Sequence, residues 1–155
     1  MGVTLGTGSF GRVRFATHIV TQQHFAVKML RKSDVIKFKQ VEHIQSEKEI
    51  LTTLSKDQHP FIVNLAGSFQ DECCLYMVME IVIGGEFFSH LRNAVKFNNS
   101  TSKFFASHVV LIFEHLHSKN VIYRDLKPEV SSGDMTGYLH SFTGPIFIFF
   151  IFLIH

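Results

Sequence analysis

The chain has 155 residues, 46% of them hydrophobic and 18% charged, with a formal net charge of +2. Those values suit one folded domain, or one domain and part of another, and they argue against wholesale disorder. So small a net charge supplies no broad basic surface, so nucleic acid is not an expected partner.

Met1-Gly2-Val3-Thr4-Leu5-Gly6 has no apolar signal core, and Gly6 stands where a myristoylation motif wants Ser or Thr. Next comes Leu5-Gly6-Thr7-Gly8-Ser9-Phe10-Gly11-Arg12-Val13, a G-x-G-x-x-G-x-V pattern. Glycines let a backbone turn tightly and bring bare N–H groups up to phosphate oxygens. Three spaced glycines also make an ordinary hairpin turn, so the continuation matters. Val13–Thr17 reads as a strand rather than a Rossmann helix, and no G-K-[ST] follows.

Strand alternation over Phe25–Leu30 places Ala26, Lys28 and Leu30 on one face. Lys28 there is either an edge-strand lysine reaching for water or half of an ion pair. The helix expected over Val41–Ser55 bears on that choice. At about 100° per residue, Val41, Ile44, Ile50, Leu51 and Leu54 share one half of the wheel, with Glu47 near its centre. Glu42 and Glu49 fall opposite. A carboxylate on an apolar face needs a cation, and Lys28 is the candidate; a slightly rotated helix leaves Glu47 at the rim instead.

Phe61–Leu65 and Leu75–Glu80 read as two more strands, the second preceded by a polar turn at Asp71-Glu72. The adjacent Cys73 and Cys74 fit neither a disulfide framework nor a zinc site, so a reducing, cytoplasmic setting is expected. Gly84-Gly85 breaks the chain before a short helix start at Glu86–Leu91. A longer amphipathic helix carries Phe104, Phe105, Val109, Ile112 and Leu116. His108, His115 and His117 lie near it without a metal-ligand pattern, and no metal site is expected.

Tyr123-Arg124-Asp125-Leu126-Lys127-Pro128-Glu129 follows. With the glycine loop, Ala26-Val27-Lys28 and Glu47, it resembles the eukaryotic protein-kinase signature set in order and spacing. Tyr123 in place of His, with Leu75–Glu80 and Gly84–Glu86, is similar to the branch of cAMP-dependent serine/threonine kinases. The resemblance implies an α+β fold: a small lobe over 1–82, with an antiparallel sheet plus one helix, and a partial large lobe over 83–129. It implies ATP under the backbone of Gly6, Thr7, Gly8, Ser9, Phe10 and Gly11. Leu5, Val13, Ala26, Val63 and Met79 would enclose the adenine, with Glu80 to Val82 as the hinge. Lys28, paired with Glu47, would hold the α- and β-phosphates. Asp125 would accept the substrate hydroxyl proton, Lys127 would sit by the γ-phosphate, Glu86 would contact ribose or a basic peptide substrate, and Glu129 a substrate arginine. A kinase regulatory subunit is a further partner it implies.

The pattern then departs. Val130 stands where the family has an Asn that binds Mg²⁺, and no Asp-Phe-Gly or Ala-Pro-Glu occurs. Phosphoryl transfer depends on Mg²⁺ and positioning, so little or no transfer is expected from this chain, and a nucleotide-binding pseudokinase or partner-competing decoy is the alternative. Only Asp134 carries charge after Glu129, and Ile146–Ile154 is nine apolar residues in a row. That run falls short of the roughly 17–25 residues a membrane span needs. The 130–155 tail reads as irregular and apolar, its Ile146–Ile154 run equally a buried strand or an aggregation-prone segment; Val130-Ser131 is what an in-frame splice donor encodes, so translated intron is one origin to test.

Overall fold

The computed structural model describes residues 2–8, 10–81 and 93–122, which fall into two compact units, one ending at Ile81 and the other within 82–148. The fold is α+β. Among the sequence expectations, those on Ser9, Val82, Glu86, Asp125, Lys127, Glu129, the helix start at Glu86–Leu91 and the 130–155 tail lie outside the described residues.

The first unit is built on a five-stranded, wholly antiparallel sheet. Its strands are β1 (Thr4–Gly8), β2 (Gly11–Thr17), β3 (His24–Arg31), β4 (Leu65–Gln70) and β5 (Cys74–Glu80), in the order β1-β2-β3-β5-β4. Between β3 and β4 run α1 (Lys32–Lys37) and α2 (Val41–Leu54). Besides the one helix expected, the unit therefore carries a six-residue α1, too short for periodicity to announce. On α2, Ile44, Glu47, Leu51 and Leu54 are buried, whereas Val41 in the first turn stays exposed. Leu30, Val35, Ile44, Leu51 and Met77 form the core, with Phe10, Leu65 and Leu75 packed on it.

The fourth strand begins later than the apolar run suggests. Phe61–Asn64 is loop, not strand, with Ile62 and Val63 buried and its two ends half-buried. Other partners replace a ladder: Phe61 N–H donates to His59 Nδ1 (3.2 Å), Ile62 N–H to His59 O (3.1 Å) and Asn64 N–H to Glu80 Oε1 (3.0 Å). Burial alone made this stretch look like a strand, and a short apolar run does not reveal its hydrogen-bond pattern.

The expected polar turn joins β4 to β5. Asp71 Oδ1 accepts from the N–H groups of Cys73 (2.8 Å) and Cys74 (2.7 Å), an Asx-type closure, while Tyr76 Oη donates to Oδ2 at 2.7 Å. Lys32 ties α1 to the same turn, its Nζ donating to Asp71 O at 2.5 Å. The Tyr76 bond and the two backbone donors hold the Asp71 carboxyl below its ordinary range, and Asp71 pushes the Tyr76 phenol up to about 12. For Asp71 the stabilising contribution is present above its ordinary value and fades as pH falls through the lowered one. For Tyr76 it is complete below pH 10 and is lost as pH rises through about 12. A 295 nm titration of the chain minus that of Tyr76→Phe should show one phenol ionising near 12. In Asp71→Asn the same difference curve should move down towards the ordinary tyrosine range.

The second unit shows α3 (Asn99–Ser118). Asn98 caps it, its side chain accepting from Thr101 N–H at 2.8 Å. Phe105, His108, Ile112 and Leu116 make the buried stripe, so His108 occupies a core position where Phe104 was expected; the Phe104 ring is half exposed. His108 Nδ1 donates to Phe104 O at 2.6 Å, which satisfies that nitrogen inside the stripe. Asn120 closes the helix at φ 57°, a conformation Asn tolerates. Val95 adopts φ 61° with no such excuse, being β-branched and 85% exposed. The left-handed region costs a non-glycine residue about 1–2 kcal/mol, partly offset by glycine's freer unfolded chain. Val95→Gly should therefore stabilise the unit by about 0.5–1 kcal/mol, read as a raised melting temperature.

Candidate functional site

Direct cross-strand partners in an antiparallel sheet share a face. Lys28 pairs with Val13 on one side and Met77 on the other, and Ala26 pairs with Met79. Val13, Ala26, Lys28, Met77 and Met79 therefore line one face, the face that Leu30 gives to the core under α2. Lys28 is 4% exposed and Glu47 5%, and Lys28 Nζ donates to Glu47 Oε1 at 2.5 Å. The alternative of a lysine reaching for water is thus excluded by geometry. Burial raises the Glu47 carboxyl above its ordinary value, and the neighbouring Lys28 charge and hydrogen bond offset only part of that. Glu47 Oε2 is buried and has no hydrogen-bond partner among the described residues. An ammonium has three protons, so the bond to Glu47 leaves two for an anion.

The glycine loop rises from the end of this face. A Cβ on Gly11 would lie 1.8 Å from Met29 O and 3.1 Å from Leu30 Cα, so the backbone of β2 crosses β3 where only glycine fits. Phe10 O accepts from Arg31 N–H at 3.2 Å, and the Phe10 ring packs on the core and meets Phe38 at 5.6 Å. Phe10 therefore anchors the loop both by its ring and by its backbone carbonyl. Gly6 is different: nothing lies within 4 Å of a Cβ built there. The fold makes no demand for glycine at that position.

The remaining expected residues are spread in character. Val63 and Met79 are fully buried, Val13 and Ala26 are half-buried, and Leu5 is 47% exposed. Thr7 is exposed and Gly8 half-buried at the loop end of β1. The Glu80 carboxylate is fully engaged, accepting from Asn64 N–H at 3.0 Å and Asn64 Nδ2 at 3.2 Å, while Glu80 N–H donates to Asn64 O at 3.1 Å. Asn64 had no signal in the sequence, because a clamp between a loop and a strand end follows no local period. Among the described residues no group of three His, Cys, Asp or Glu side chains could hold a metal ion, and no helix is long and apolar enough to cross a membrane.

A glycine-rich hairpin in the same sheet as a buried lysine–glutamate pair brings together group types that suit a polyphosphate, backbone N–H donors and an ammonium. The chain matches the protein kinase domain family over residues 1–130 and belongs to that family. It is 49% identical over 135 residues to the cAMP-dependent protein kinase catalytic subunit of Dictyostelium discoideum, covering 87% of this chain and 20% of that one. Against cAMP-dependent protein kinase type 3 of Saccharomyces cerevisiae it is 46% identical over 140 residues, 88% of this chain and 33% of the relative. The human cAMP-dependent protein kinase catalytic subunit PRKX is 43% identical over 136 residues, 88% and 37% respectively. The chain thus spans between a fifth and two fifths of the length of these curated relatives.

Proposed function

We propose that the first unit is the ATP-binding part of a serine/threonine kinase of the cAMP-dependent type. The observation that carries this reading is the buried Lys28–Glu47 pair, in one sheet with a glycine hairpin whose Gly6 the fold itself does not require. The backbone of Gly6–Gly11 covers the phosphates, Lys28 holds the α/β-phosphates, and Glu47 holds Lys28. Leu5, Val13, Ala26, Val63 and Met79 enclose the adenine, and the chain at Glu80–Val82 offers it backbone hydrogen bonds. In this reading residues 1–82 form the small lobe and 83–129 the start of the large one. Asp125 accepts the proton of a substrate Ser or Thr hydroxyl, and Lys127 steadies the transferring γ-phosphate. Glu86 and Glu129 receive basic residues of the substrate, and a kinase regulatory subunit is the further partner.

A second reading, nucleotide binding without transfer, is favoured by one feature of the sequence. Val130 has no donor atom and the chain contains no Asp-Phe-Gly, so its own residues do not supply the Mg²⁺ ligand set of kinases. One experiment separates the two. The purified chain is titrated with a fluorescent ATP analogue, then assayed for γ-phosphate transfer to an Arg-rich serine peptide. Saturable binding supports the site; transfer that disappears in Asp125→Ala supports the kinase reading, and binding without transfer supports the second. Absence of binding by a folded chain would sink both.

A further inference from the structure

Among the described residues, two hydrogen bonds join α2 and its cap to the sheet. One is Lys28–Glu47. The other runs through Ser55, the residue that ends α2. Its Oγ donates back to Leu51 O at 2.7 Å and accepts the N–H of Leu65 at 2.6 Å, in a half-buried position. Leu65 opens β4 where the β4–β5 register shifts, so this N–H sits at an irregular point of the ladder and Ser55 satisfies it. Leu51 O also takes the Ser55 N–H at 2.9 Å, which locks the hydroxyl's geometry to the last turn.

The spacing gives this bridge its meaning. Glu47, Leu51 and Ser55 stand at i, i+4 and i+8, one ridge of α2. Leu51 in the middle is a core residue, 2% exposed. A helix held on one ridge by two polar contacts, two turns apart, has its rotation and axial position fixed by both together. Loss of the Ser55 bridge leaves Glu47 to be aligned by one bond and by apolar packing, which tolerates sliding better than hydrogen bonding does. A hydroxyl can donate to a carbonyl and accept an N–H at once, which is what Ser55 Oγ does here.

We propose that Ser55 is a positioning residue for the Lys28–Glu47 pair, acting from the far end of α2 through the Leu65 amide. Its consequence for ATP rests on the function proposed above, so the test reads the pair without nucleotide first. Lys28 is labelled with a lysine-specific acylating reagent, and site occupancy is followed by mass spectrometry together with amide hydrogen exchange at Leu65. In Ser55→Ala both the Leu65 exchange rate and the Lys28 labelling rate should rise, the latter by at least fivefold, and Ser55→Thr, which keeps the hydroxyl, should restore both. A faster Leu65 amide with unchanged Lys28 labelling would overturn the proposal, leaving Ser55 a local cap. Should Ser55→Ala lack a cooperative melt, the same two readouts are taken on Ser55→Cys, whose sulfur is a weak acceptor, and decide the matter in the same way. A final arm measures ATP-analogue affinity, which should fall in proportion to the labelling change. If the unaltered chain binds no nucleotide, the functional reading fails while the labelling result still decides the role of Ser55.

Discussion

Lys28→Met should unfold the chain more readily than its loss of one surface-type charge suggests, by about 3–5 kcal/mol in denaturant titrations near pH 7, because it strands Glu47 as an uncompensated buried charge. Lys28 and Glu47 are both at least 95% buried, so neither carboxylate nor ammonium can fall back on water. The double variant Lys28→Met/Glu47→Leu should recover most of that loss, since a buried ion pair replaced by apolar groups of like volume is often neutral. ATP-analogue binding should vanish in both. Stability would then be separated from function by the pair of variants, where the single one confounds them. The pH profile gives an independent check. Glu47 already titrates above its ordinary value through burial, and removing Lys28 takes away the opposing charge and hydrogen bond. A raised native value means that the folded state holds a proton the unfolded state has released, so stability is complete below the ordinary carboxyl range and falls as pH rises through the raised value. The deficit of Lys28→Met should accordingly shrink towards pH 5 and grow towards neutrality. A deficit that does not change with pH would show that Glu47 is not the group responsible.

This pair was legible in the sequence for a simple reason: helical periodicity marks a carboxylate that sits among apolar residues, and strand alternation marks the lysine. Both signals are local. The glycine hairpin was legible as well, but the sequence could not say which of its glycines the fold itself requires. That distinction needs the distance from Gly11 to the Met29 carbonyl. The start of β4 was misplaced because Ile62 and Val63 are buried like strand residues while their segment bonds to His59 and to a side chain of β5. The true strand, Leu-Ala-Gly-Ser-Phe-Gln, is an edge with mostly exposed residues, and so has little alternation to read. Asn64 and Ser55 escaped notice for a related reason. Each links segments that are distant or irregular in sequence, Asn64 to Glu80 and Ser55 to Leu65, and no spacing rule connects them.

Gly11→Ala and Gly6→Ala should divide the loop's two duties between them. At Gly11 the added methyl would meet backbone atoms of β3, Met29 O at 1.8 Å and Met29 C at 2.9 Å, and no rotamer change relieves a backbone clash. The β2–β3 ladder, seven paired residues from Gly11↔Leu30 to Thr17↔His24, must part at its end to admit it. The cost should reach about 3 kcal/mol, the upper end of ordinary overpacking, and appear as a lowered denaturation midpoint. Arg31 N–H should also lose protection, because its bond to Phe10 O lies beside the opened pair. Gly6 faces open space and carries no left-handed φ, so its alanine variant should keep stability within about 0.5 kcal/mol of the parent. On the function proposed above its effect belongs to the ligand: a methyl added to a loop that covers phosphates keeps the backbone N–H groups away from the anion. ATP-analogue affinity should fall by about tenfold, or 1.4 kcal/mol, with the melt unmoved. Unchanged affinity in Gly6→Ala would mean that the loop does not approach phosphate at all, and the nucleotide reading of this face would go with it. Equal stability losses in the two variants would instead show that the clash at Gly11 is relieved by the sheet, and that glycine is a general requirement of the hairpin rather than of one crossing point.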